Sequence, residues 1–204
     1  LDEVHEAKAM LAEEAAALHA SGIRAAGARD VPVGVMIETP AAVMLADDLA
    51  AAAAFVSIGS NDLTQYTLAV DRSNARLASR FVPLHPAVVR QLHHVRAAAV
   101  RAGIPASVCG EMASDPVAIV LLIGLGYDRL STAPPALPLV KWVVRNLPLA
   151  AAREAALAAV QATTTDEVRS VLRETLGRYV DLRLVDPSGA LPRPLVGASL
   201  SRKE

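Results

Sequence analysis

Four short runs, "VPVGVMIET", "AFVSIGS", "IPASVCG" and "YDRLSTAP", recur along the chain, and helical patterns follow them. Short β-rich runs that alternate with helices read as parallel strands, because a parallel neighbour is reached only by crossing back over the sheet. The punctuation of the helices agrees. "PAAVMLADDLAAAA" has Pro40 near its first turn, and "PAVVRQLHHVRAAAVRAG" stops at Gly103. "SDPVAIVLLIGLG" offers Ser114 or Asp115 as N-cap and Pro116 at the next position. Between the second and third strands, "NDLTQYTLAVDRSNARLASRFVP" reads as a loop passing into short helical pieces. A helix over residues 1–21 precedes the first strand, with Val4, Ala7, Met10, Leu11 and Leu18 near one face and Gly22 ending it. After the fourth strand, "PLVKWVVRNL" and two more segments within 148–177 read as helices, with N-caps in "TTTDEVRSVL".

A doubly wound sheet and a β/α barrel both fit this order. The polar residues favour the barrel. Glu38, the pair Asn61 and Asp62, and Cys109 each stand where a strand ends, and in β/α barrels the chemistry gathers at that face. Four strands are half of the eight that a closed barrel needs. The expected fold class is therefore α/β: half of a (β/α)8 TIM barrel, four parallel strands with crossover helices, its two edges carrying unpaired backbone groups. Residue 1 is a leucine inside a helical pattern, so the chain is expected to be a piece of a longer one. Residues 1–177 are expected to form the half-barrel, and the Pro-, Gly- and Ser-rich residues 178–204 a disordered tail.

Composition excludes several functions. With 20 basic and 21 acidic residues and 3% aromatics, the chain offers neither a basic face nor stacking platforms for nucleic acid. It is 53% hydrophobic, but no apolar run reaches the ~18 residues of a membrane span. One cysteine gives no disulfide framework, and a reducing, cytoplasmic location is expected.

Each candidate residue has a plainer alternative. Glu38 and Asp62 suit Mg²⁺, which takes one or two protein carboxylates and fills its shell with water and substrate oxygens. Each alone also suits a helix cap. Asn61 can donate its amide to a phosphate or carboxylate, or can simply serve a turn. Arg72 can grip an anion with two N–H groups, or pair with Asp71, or lie in solvent. Cys109 is a small core residue by type, yet a protonated thiol is a general acid and a thiolate a nucleophile. Gly110 permits unusual backbone angles that expose its neighbour, and Glu111 can tune the thiol or order water. Adjacent His93 and His94 diverge by about 100° on a helix, which predicts one surface and one half-buried ring. His85 reads as structural at a helix entry, and "GLGYD" as a helix end.

Together, "GVMIETPAAVMLADDLA", "FVSIGSNDLTQYTLAVDRSN", "LHPAVVRQL" and "VCGEMASDPVA" resemble the C-terminal domain of Enzyme I, the phosphoenolpyruvate–protein phosphotransferases of bacterial sugar uptake. The resemblance runs over about residues 1–172. "NDLTQ" and "CGE" are also shared by phosphoenolpyruvate synthases and pyruvate phosphate dikinases, and the "IETP" and "ND" strands by Mg²⁺-dependent aldolases. "YTLAVDR" favours the phosphotransferases. A non-catalytic half-barrel used for assembly is the alternative of another class. The resemblance implies the C-terminal half of a phosphoenolpyruvate/pyruvate-type barrel, Mg²⁺-dependent and homodimeric in the full-length protein, which passes phosphoryl groups to the carrier protein HPr. It implies Glu38 and Asp62 as metal ligands, Asn61, Asp62 and Arg72 as substrate contacts, and Cys109 as proton donor to the enolate that becomes pyruvate. The phosphorylated histidine and two further phosphate-binding arginines of that family have no counterpart in this sequence, so the segment alone is expected to be inactive.

Overall fold

The computed structural model describes residues 1–24, 31–71, 74 and 76–185. Its strands are β1 (Val35–Ile37), β2 (Val56–Gly59), β3 (Ala106–Cys109) and β4 (Arg129–Leu130). They form one parallel sheet in the order β1-β2-β3-β4, so every crossover leads to the adjacent strand. The fold is α/β with a four-stranded parallel sheet.

Alternation along the strands assigns the two faces. Ile37, Ile58 and Val108 lie in one cross-strand row and are fully buried, in the same core as Val88 and Leu92 of helix α5 (Pro86–Ala102) and Ile119 of α6 (Pro116–Leu125). The next row, Met36, Ser57, Ser107 and Arg129, points the other way. Ser57 and Ser107 are half-buried, while Met36 is 53% exposed. One face is thus apolar and covered by helices; the other is polar or open.

The crossover helices start and stop where their residues demand. The stretch expected as one helix after β1 is two, α2 (Pro40–Met44) and α3 (Ala46–Ala52), separated at Leu45, whose ψ of 17° leaves the helical range. Asp115 caps α6 by accepting from the backbone N–H groups of Val117 and Ala118, and Gly126 ends it at φ 95°. His85 caps α5 through Nδ1, which accepts from the Ala87 N–H at 3.1 Å, so its structural reading holds. The reading of His93 and His94 does not. Both are exposed, because α5 buries Val88, Val89, Leu92, Val95, Ala98 and Ala99 on a single stripe and both rings fall outside it.

Helix α1 (Asp2–Ala20) buries no residue; Met10 and Leu18, expected near its apolar face, are exposed. Beyond β4 come α7 (Leu137–Asn146), α8 (Leu149–Gln161) and α9 (Thr165–Gly177). Gly124 brings α6 against the alanine-rich α8, since a Cβ there would lie 2.1 Å from the Ala152 carbonyl oxygen. Thr164 and Glu167 form a reciprocal capping box at α9, and the backbone N–H groups of Thr163 and Thr164 hold the Glu167 carboxyl below its ordinary range. Folded structure continues past residue 177: Val180 is buried and α10 (Leu182–Val185) follows. Residues 186–204 of the expected tail lie outside the described residues. Among the described residues no helix is long and apolar enough to cross a membrane.

Candidate active site at the strand ends

The polar strand ends meet at one edge of the sheet. β2 and β3 finish in register, Gly59 opposite Cys109. Glu38 follows β1 directly and leans over Gly59: a Cβ on that glycine would stand 2.7 Å from Glu38 Oε2 and 3.3 Å from Met36 Sδ. Glu38 therefore lies on the open face of the sheet, the face that carries Met36.

The capping alternative for Glu38 falls. Thr39 caps α2, its Oγ1 accepting from the Ala42 N–H at 3.2 Å. Asp62 is the third residue of α4 (Ser60–Leu68), whose N-cap is Gly59 and whose first turn has no side-chain cap bond. It adds negative charge near the positive end of the helix dipole without capping it. Among the described residues no hydrogen bond or ion pair engages either carboxylate, and both side chains are half-buried. No group of three or more His, Cys, Asp or Glu among the described residues could hold a metal by itself. An ion bound between Glu38 and Asp62 would need oxygens from water or from a bound anion, which is how Mg²⁺ is commonly held.

Cys109 is half-buried and stands outside the apolar core. Its thiol donates to the Ile58 carbonyl at 3.3 Å. Its own carbonyl accepts from Ser60 Oγ at 2.6 Å. Gly110 follows at φ 92°, ψ −175°, a conformation open to glycine and strained for other residues. The Glu111 side chain is exposed, and its backbone N–H donates to Asn61 Oδ1 at 3.3 Å. With Oδ1 engaged, the Asn61 amide NH₂ is the group left to donate to a ligand.

The structure thus gathers Glu38, Asn61, Asp62 and Cys109 on three successive strand-to-helix corners. Arg72 lies outside the described residues. Sequence reasoning missed Gly59 and Ser60. Their only signal was a pair of small residues, "GS", directly before two functional candidates at a strand end.

A family model described as "PEP-utilising enzyme, PEP-binding domain" matches residues 1–149. The chain belongs to this family. Relatives agree with the resemblance read from the motifs. The chain is 41% identical over 175 residues to a "Phosphoenolpyruvate-protein phosphotransferase" of Geobacillus stearothermophilus, covering 86% of this chain and 30% of that protein. It is 45% identical over 145 residues to a "Multiphosphoryl transfer protein" of Rhodobacter capsulatus, covering 71% and 18%. It is 42% identical over 137 residues to a "Phosphoenolpyruvate-dependent phosphotransferase system" protein of Escherichia coli, covering 67% and 18%. The PEP-binding domain described here therefore spans between 18% and 30% of these relatives' length.

Proposed function

We propose that this segment is the C-terminal half of the phosphoenolpyruvate-binding barrel of a phosphoenolpyruvate–protein phosphotransferase. The full-length protein would move the phosphoryl group of phosphoenolpyruvate to one of its own histidines and on to HPr, releasing pyruvate, in the cytoplasm and as a homodimer. Three features support the barrel. The strand order runs 1-2-3-4 without reversal, the helices cover one face, and β1 and β4 each have one strand neighbour among the described residues. A partner half-barrel would cover the open row of Met36, Ser57, Ser107 and Arg129.

The observation that carries the chemical reading is the convergence of two uncommitted carboxylates and a thiol at adjacent strand ends. Glu38 and Asp62 would hold Mg²⁺, which when bound supplies positive charge to the phosphate and to the oxygen that becomes the enolate. Their freedom from capping leaves both carboxylates open to such an ion. The Asn61 NH₂ would orient the substrate, and Arg72 would grip its phosphate. Once the phosphoryl group has left, Cys109 gives its proton to carbon 3 of the enolate; pyruvate and a thiolate result, and solvent restores the thiol. The bond from the Cys109 thiol to the Ile58 carbonyl supports the acid role, because in it the thiol acts as a donor.

By microscopic reversibility, an acid that protonates carbon 3 must also remove a proton from pyruvate. In the full-length protein, Cys109→Ala should therefore abolish deuterium incorporation at carbon 3 of pyruvate in deuterated water while phosphoenolpyruvate still binds. Exchange at the wild-type rate would make Cys109 a structural residue.

A further inference from the structure

We propose that Ser60 is the positioning residue for Cys109; the inference rests on the acid reading of Cys109. Three consecutive residues of the first turn of α4 have three separate tasks. Ser60, 1% exposed, donates its hydroxyl proton to the Cys109 carbonyl at 2.6 Å. Asn61 accepts from the Glu111 N–H at 3.3 Å. Asp62 presents the carboxylate. The two pinned peptide groups flank Gly110, so both ends of the most pliable residue in the β3 corner are tied to the β2 corner.

The space around Gly110 is filled by these same two side chains. A Cβ there would stand 2.5 Å from Ser60 Oγ and 3.1 Å from Asn61 Oδ1. The Cys109 thiol is held by the same corner, on the carbonyl of Ile58 two residues before Ser60. Ser60 is itself fixed, since Thr64 Oγ1 donates to its carbonyl at 2.7 Å. With the Cys109 main chain held this way, the side chain keeps its rotation as its freedom of movement while the backbone stays fixed. Without the Ser60 hydroxyl the Cys109 peptide loses its 2.6 Å anchor, and the sulfur has more positions than the one that meets carbon 3.

The test uses the full-length phosphotransferase and compares Ser60→Ala, Ser60→Thr and Cys109→Ala. Misplacement of a reacting group by about 1 Å can cost a hundredfold, so Ser60→Ala should lower kcat for carbon-3 exchange about ten- to a hundredfold. KM for phosphoenolpyruvate and the Mg²⁺ concentration for half-maximal rate should stay within about twofold, because Asp62 and Asn61 are retained. Ser60→Thr keeps the hydroxyl and should recover most of the rate. A residue that merely stabilised the fold would lower kcat, substrate affinity and Mg²⁺ response together, and that pattern would overturn the proposal. So would an unchanged kcat in Ser60→Ala, or a threonine variant no better than alanine. Cys109→Ala keeps the two ideas apart. If exchange survives that change, the acid reading fails; if it is abolished while Ser60→Ala exchanges normally, only the positioning role fails.

Discussion

Gly59→Ala tests the proposed metal pair without altering either proposed ligand. Gly59 has φ −79° and ψ 82°, so an alanine meets no backbone strain there and the whole effect is steric. The added Cβ would stand 2.7 Å from Glu38 Oε2 and 3.0 Å from Glu38 Cβ, where ordinary contact begins at 3.4 Å. The carboxylate must then retreat by about 0.7 Å, the difference between 3.4 and 2.7 Å. Its flexible end can do so, but Glu38 Cβ is anchored to the backbone, so some strain remains. Overpacking of this kind costs about 1–3 kcal/mol. The larger consequence is for the ion. Mg²⁺ demands oxygens at about 2.0–2.1 Å in near-octahedral geometry, and a usable ligand sits within about 0.2 Å of its ideal distance. Disturbing the support of a ligand commonly costs about ten- to a hundredfold in metal affinity. The assay is an Mg²⁺ titration of phosphoenolpyruvate turnover in the full-length protein, for wild type, Gly59→Ala, Glu38→Gln and the double variant. The half-saturating Mg²⁺ concentration should rise at least about tenfold in each single variant, and the double variant should match Glu38→Gln, because both changes act through one carboxylate. Additive effects in the double variant, or a Gly59→Ala protein with a normal Mg²⁺ response, would refute the reasoning.

Two further changes test the scaffold. Gly124→Ala should lower stability by about 3 kcal/mol or more, read as a lower urea midpoint, since its Cβ would meet the Ala152 backbone at 2.1 Å and the Ala156 Cβ at 2.6 Å and neither can rotate away. Tyr127 is buried and donates to the Leu92 carbonyl at 2.8 Å; burial pushes its phenol well above the ordinary 10.0, against a smaller opposing pull from Arg96. Above pH 10 the unfolded chain loses this proton and the folded chain keeps it, so stability falls as pH rises, by about 1.4 kcal/mol at pH 11. Tyr127→Phe gives up a hydrogen bond worth about 0.5–1.5 kcal/mol at neutral pH but lacks that alkaline loss. Its urea midpoint should lie below wild type at pH 7.5 and meet it near pH 11, and parallel profiles over that range would contradict the assignment.

Much of the fold was legible because its signals are local. Strand runs, prolines in first turns and glycines at helix ends all act over a few residues, and the sheet, α5, α6 and the paired helices α8 and α9 followed from them. Where the reading failed, tertiary packing decided. The exposure of both His93 and His94 depends on which stripe of α5 is buried. Spacing limited the histidine pair to different faces, but it could not tell that α5 buries the stripe centred on Leu92 and leaves both rings outside.

The candidate site shows a different limit. Glu38, Asn61, Asp62 and Cys109 were legible because charged, amide and thiol groups at strand ends stand out by chemical type. Gly59, Ser60 and Gly110 act by being small or by reaching a backbone atom about 50 positions away, as Ser60 does to Cys109 across a separation of 49. No periodicity records such a contact. Yet both positions are constrained: a methyl group at Gly59 would crowd Glu38, and one at Gly110 would crowd Ser60 on a backbone at φ 92°. The small residues are therefore constrained together with the candidate site residues. The carboxylates and the thiol belong to different strands, and the close approach of the β2 and β3 corners, with Gly110 against Ser60 and Asn61 and with bonds from Ser60, Cys109 and Glu111 between them, is what the proposed shared site would require.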